Sequence, residues 1–168
     1  MKRKKAIFLI KFLATIAVLY VVIALNPVND HVIVPFTEGI TSVSAAMLRG
    51  LGQVAEVSEG TLIRTTGFIV DVKNGCNGIE AIILLIAAIG AYPAPLVHRI
   101  VGILAASIAL QAINVFRIAM LVWLGAHYPD IFQLFHVAVW QTVIILISVL
   151  LFLLWSSRFA PPPLADSR

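Results

Sequence analysis

Sulfur is scarce in this chain: there is one cysteine in 168 residues, which excludes an internal disulfide and any cysteine-based metal cluster. Charge is scarce too. Charged side chains make up 12% of the residues, about half the ~25% usual in soluble domains, while 61% are hydrophobic and the mean hydropathy is +1.02. That composition reads as an integral membrane protein of one domain, with little length left for a soluble core. Acidic residues number 8 against 12 Lys and Arg, and the basic excess is local. Lys2, Arg3, Lys4, Lys5 and Lys11 cluster at the N-terminus, which reads as anchoring to the lipid of the cytoplasmic leaflet rather than as nucleic-acid binding. No internal repeat, cofactor motif or metal-ligand cluster is visible, so neither cofactor nor metal is expected.

Hydropathy divides the chain into an all-α membrane architecture of about four transmembrane helices. Residues 6–25 match the ~20 residues that a helix needs to cross hydrocarbon, and they exit without a small-x-small cleavage pattern, so they read as a retained signal anchor. Further spans are expected at about 77–92, 100–124 and 137–155, with a tail over 156–168. The second is short and ends at Pro93-Ala94-Pro95, so it is either a crossing or a re-entrant segment. A crossing puts His98 and Arg99 inside. An extracytoplasmic insert over 26–76 holds most of the acidic residues, in keeping with the positive-inside rule. Within it, Ile40, Val43, Met47, Leu51 and Val54 recur at helical spacing opposite Thr41, Ser44, Arg49 and Gln53, which predicts an amphipathic helix lying on the membrane surface. Residues 54–58, 61–65 and 68–72 are rich in β-branched side chains and separated by Glu59-Gly60 and Thr66-Gly67. They predict a small β-meander.

The informative residue is Arg117. It sits in the apolar run 100–124, and a guanidinium does not shed its proton to enter hydrocarbon, so its burial costs several kcal/mol unless it is paired. In this topology Cys76 precedes the second span at its outer end and His136 opens the last span at the same boundary. Arg117 lies seven residues short of Leu124, ~10 Å below that boundary at 1.5 Å rise per residue. Three residues from distant segments therefore share one leaflet.

Together they have the parts of nucleophilic acyl transfer. Cys76 lies at a helix N-terminus near a guanidinium and an imidazole, features that lower a thiol pKa. His136 is suited to take the thiol proton and return it to a leaving amine, and Arg117 to hold an oxyanion or a substrate carbonyl. Asn114, one turn below Arg117, is placed to position its guanidinium or the substrate. The bland readings stand beside these. A lone cysteine is commonly a small buried hydrophobe, and a lone boundary histidine is commonly an interfacial polar residue. Glu80 stands at capping-box spacing from Asn77 and reads as a cap. His127 and Asp130 read as solvated, with Asp130 a remote candidate for orienting His136. His31 and His98 have no partner in sequence.

At Cys76-Asn77-Gly78-Ile79, Asn114-Val115-Phe116-Arg117-Ile118 and His136 the chain resembles the exosortase/archaeosortase family of membrane-embedded cysteine transpeptidase-like enzymes, and most closely the small exosortase H (IPTL-CTERM) type, over about residues 70–155. The resemblance implies cleavage of C-terminal sorting signals on exported proteins at the periplasmic face of the bacterial inner membrane, through a Cys76 acyl-enzyme. Arg117 would be the transition-state stabiliser and His136 the proton-transfer residue. Two departures stand out: larger members carry additional spans, and Val137-Ala138-Val139-Trp140 follows His136 where relatives often have a glycine. Two other functions compete, a small transporter or channel subunit needing only Arg117 in an aqueous path, and a non-catalytic scaffold of an envelope complex. The meander beside Cys76 reads either as a cap on the bundle or as a sheet edge that takes an extended peptide as an added strand.

Overall fold

The computed structural model describes residues 2–159; the proline run at 161–163 and the rest of the expected tail beyond 159 lie outside the described residues. The chain is mostly helical, with a small three-stranded sheet. In order come α1 (Lys2–Ile23), α2 (Asn26–Val28), α3 (Val34–Gly50), β1 (Glu56–Ser58), β2 (Leu62–Thr65), β3 (Phe68–Asp71), α4 (Ile79–Ala91), α5 (Leu96–His127), α6 (Pro129–Leu134) and α7 (Trp140–Phe159). Two π-helical turns, Asn29–Ile33 and Phe135–Val139, join α2 to α3 and α6 to α7 without a break. Four helical stretches are long and apolar enough to cross a membrane: Lys5–Ile23, Asn26–Gly50, Leu96–His127 and Pro129–Arg158.

This set differs from the expected spans. Asn26–Gly50 is continuous helix, whereas Ile79–Ala91 has only 13 residues, ~20 Å of helix against ~30 Å of hydrocarbon. α4 nevertheless packs along α1, α5 and α7, and its two ends are pinned to α5. Arg99 Nη1 donates to the Gly90 carbonyl at 3.0 Å, and Gln111 Nε2 donates to the Asn77 carbonyl at 2.9 Å. The antiparallel pair buries Ala81, Leu85, Ile89, Ala106 and Leu110 against Ile144 and Trp155 of α7. Gly102 makes room for the Trp155 indole, into which a Cβ would collide. Outward, Leu13, Val21, Leu104, Ile108, Leu146 and Leu153 are exposed, the inverted arrangement that suits lipid rather than water.

α3 corrects the amphipathic expectation. Its buried stripe is Thr37, Thr41, Ser44, Ala45 and Leu48, while Val43, Leu51 and Val54 are exposed. Of the face expected in water, Thr41 and Ser44 are packed inside while Arg49 stays exposed, and Ile40 and Met47 of the apolar face pack against the core. The physical reason is local satisfaction: Thr37, Thr41 and Ser44 each donate a hydroxyl to the carbonyl four residues back at 2.8 Å, so small hydroxyl residues enter a core without orphaned donors. Ala45 and Leu48 then pack with Ala55, Ile63, Val72, Ile118, Ala119 and Val122, which seats the sheet on the last third of α5.

The sheet has order β1-β2-β3, antiparallel throughout, and the expected meander is present with each strand a residue or two shorter. Glu59 and Gly60 take positive φ in the first turn, and Gly67 does so in the two-residue loop between Thr65 and Phe68. A second correction concerns 125–135, which the expected spans 100–124 and 137–155 leave as an outer loop between them. α5 runs on to His127 and α6 starts at Pro129, because proline is favoured in a first helical turn, where its missing N–H costs nothing.

Candidate active site

Cys76 lies in the loop that leads from β3 into α4. Asn77 folds this loop: its Oδ1 accepts the Ile79 N–H at 3.1 Å, and its Nδ2 donates to Thr37 Oγ1 at 2.9 Å and to Asn74 Oδ1 at 3.0 Å. Glu80 does not close the expected capping box: the N-cap position is Gly78, without a side-chain cap, and Glu80 instead accepts the Gly75 N–H in the preceding loop at 2.8 Å. Gly78 stands at φ +82, and a Cβ there would lie 2.6 Å from Gln111 Oε1 and 2.9 Å from Asn114 Nδ2. Only glycine fits both the left-handed conformation and the close approach.

On α5 the polar residues recur every third position. Gln111 holds the Asn77 carbonyl, Asn114 Nδ2 donates to the Cys76 carbonyl at 3.1 Å, and Arg117 Nη1 donates to Asn114 Oδ1 at 3.4 Å. Asn114 is fully buried and both ends of its amide are spent on the protein, so it ties the cysteine backbone to the guanidinium. Arg117 is 2% exposed, and its Nε is buried without a partner. Among the described residues no carboxylate forms an ion pair with it. A buried guanidinium with unspent donors is poised for an anion or an oxyanion.

His136 lies in the π-helical turn ahead of α7. Its Nε2 is 2.9 Å from Cys76 Sγ, and its ring stacks on Phe132, one turn back, with centroids 5.5 Å apart and planes at 15°. Phe132 in turn meets Phe68 edge-on at 5.1 Å, so the imidazole is held from the sheet by aromatic packing. π-helical turns inside α-helices are frequent at functional sites, since the extra residue re-aims a side chain. Of the remaining candidates, His127 bonds the Trp123 carbonyl at 2.9 Å, Asp130 is exposed, and among the described residues no hydrogen bond joins Asp130 to His136. His31 is exposed, and His98 stands at the opposite end of α5 from Arg117.

Cys76, Arg117 and His136 line one cavity of about 300 Å³ with Ile118, Leu121, Phe132, Gln133, Val137 and residues 69–72. The thiol departs from expectation. Burial pushes the Cys76 pKa up, the Arg117 charge pulls it down, and Glu80 pushes it up again, with burial the largest effect. Which partner donates across the Cys76 Sγ to His136 Nε2 contact depends on the tautomer of the ring.

The model of transmembrane exosortases (the EpsH type) matches residues 4–155. The chain belongs to the transmembrane exosortase family. The match takes in α1 to α7 and extends well beyond the 70–155 stretch that carries the motif resemblance. No curated protein and no solved structure matches the chain significantly. As an exosortase it is an integral membrane protein of a family of sorting peptidases and transpeptidases. Gln111 and Phe132 were not legible as part of its site, and Asn77 was read only as a motif residue and a helix cap. Gln111 had a signal, standing three residues before Asn114 on one helix face; Phe132 had none, because its place depends on the π turn and the sheet.

Proposed function

We propose that this exosortase cleaves C-terminal sorting signals of exported proteins by cysteine acyl transfer, with Cys76 as nucleophile, His136 as general base and acid, and Arg117 as oxyanion stabiliser. The observation that carries the reading is the 2.9 Å Sγ to Nε2 contact in one cavity with a buried, incompletely bonded arginine. In the first step Sγ bonds the scissile carbonyl carbon as its proton passes to Nε2, and the carbonyl oxygen gains a negative charge facing the guanidinium. The C–N bond then breaks, Nε2 returns the proton to the leaving amine, and a thioester remains. Water or an acceptor amine resolves it, and the thiol regains its proton. Asn114 is a positioning residue that acts through Cys76 and Arg117.

The membrane placement belongs to the same proposal. With the basic cluster of α1 inside, and with Asn26–Gly50 lying against the outer end of α5 and the sheet rather than crossing despite its apolar length, α1 and α5 run outward and α4 and α7 inward; the cavity then lies at the extracytoplasmic boundary of the inner membrane, with α3, the sheet and α6 above it. The test is processing in cells of an exported protein bearing a candidate signal. Cys76→Ala should abolish processing at unchanged enzyme level. Continued processing by that variant would exclude the peptidase in favour of a transport or scaffold role.

A further inference from the structure

The cavity runs along the edge of β3, not along a face of the sheet. Successive side chains of a strand point to opposite faces, so a cavity on one face would touch every second residue; this one touches Ile69, Val70, Asp71 and Val72 in succession. β3 is an outer strand. The ladder fixes which of its backbone groups are free. The Val72 N–H donates to the Thr61 carbonyl at 3.0 Å, and Ile63 pairs with Val70 and Thr65 with Phe68. In an antiparallel ladder hydrogen-bonded pairs alternate with non-bonded ones, so Phe68, Val70 and Val72 turn their N–H and C=O toward β2. Ile69 and Asp71 turn theirs away, into the cavity. Among the described residues neither finds another partner. Unpaired edges are normally covered, charged or bulged; this one carries the Asp71–Lys73 pair at its end, but its backbone groups stay unpaired beside Cys76.

We infer that the free edge of β3 binds the substrate as an added antiparallel or parallel strand, an extended peptide whose backbone pairs with Ile69 and Asp71 and whose apolar side chains enter the floor made by Ile118, Leu121 and Val137. This rests on the peptidase reading of the cavity and names how that site holds its substrate. Strand addition draws affinity from main-chain hydrogen bonds and selectivity from alternate side chains. It also fixes the scissile carbonyl at a set height above Cys76. The edge makes the two neighbouring residues unequal: proline at 69 removes a donor that faces the cavity and spares the β2 ladder, whereas proline at 70 breaks that ladder.

The experiment uses the full chain in lipid vesicles and compares alkylation of Cys76 by acetyl-Ala-Val-Ala-Val chloromethyl ketone and by iodoacetamide. The peptide reagent should react faster relative to iodoacetamide than it does with a free thiol, and Ile69→Pro should cut that advantage about fivefold to tenfold, the loss of one hydrogen bond, while the iodoacetamide rate stays unchanged. An advantage that is absent, or that survives Ile69→Pro, overturns the inference. Should the variant fail to insert, a scan of singly N-methylated peptides on the unaltered protein decides. Methylation at every second residue should cost about fivefold and at the intervening residues nothing, whereas uniform losses, or none, would overturn strand addition. Processing reads the other proposal separately: a period-two scan with processing that persists in Cys76→Ala keeps the strand and removes the peptidase, and the opposite pair of results does the reverse.

Discussion

Arg117 illustrates how much one side chain carries when its partners are few. Its charge is the only influence lowering the thiol pKa against burial and Glu80, so its charge and its shape have separate readouts. The rate of Cys76 alkylation by iodoacetamide should rise with pH through a midpoint above the ~8.5 of an ordinary thiol. The sign follows from burial: removing the buried cation raises the cost of the thiolate, so Arg117→Gln moves the midpoint further up. Arg117→Lys keeps the charge and should hold the midpoint near that of the unaltered protein, yet lose about 10²-fold or more in turnover, because an ammonium lacks the planar fork. Near-normal turnover in an inserted Arg117→Lys protein would show that charge alone suffices.

Among the elements, the junction of the β3–α4 loop with α5 is what brings Cys76 to Arg117. Two backbone carbonyls of the loop, at Cys76 and Asn77, are held by Asn114 and Gln111 of α5, and Gly78 lets the two chains touch. Gly78→Ala would force a side chain into the left-handed region at about 1–2 kcal/mol and drive a Cβ against both amides. The loop should lift from α5 without the bundle unfolding. The expected outcome is near-normal membrane yield with at least about tenfold loss of processing, about 1.4 kcal/mol in the barrier, and faster iodoacetamide labelling as Cys76 leaves its cavity. Unchanged processing would mean that the two carbonyl contacts do not position the site.

At the scale of the whole molecule the proposed topology asks a helix of 13 residues to serve as a crossing. α4 is sheathed by α1, α5 and α7, so most of its backbone meets protein rather than lipid, and a thinned bilayer over its short length costs only fractions of a kcal/mol per Å. The topology has a direct check. In spheroplasts a membrane-impermeant maleimide should label Cys76, whereas Ala94→Cys in a Cys76→Ser background should be labelled only after permeabilisation. Labelling of Ala94→Cys in intact spheroplasts would turn α4 into a re-entrant segment and put His98 outside.

The sequence by itself determined the class of solvent, the helical architecture, the meander with its turns and the three residues of the proposed site, because hydropathy, turn chemistry and the cost of a buried guanidinium are local quantities readable from residue type. It placed Thr41 and Ser44 of 34–50 on the wrong side, since hydroxyls that satisfy themselves on the preceding turn look solvated in sequence and pack like small apolar groups. The state of the Cys76 thiol was also beyond it: the expected lowering depended on charges nearby, and the raised value depends on burial that only folding supplies. Tertiary structure alone decided that 129–139 continues as helix through a π turn, so that His136 faces the sulfur 60 positions away in sequence. It decided as well that β3 presents its unpaired edge to that same cavity, because register and strand order arise from pairing between segments and are carried by no residue on its own.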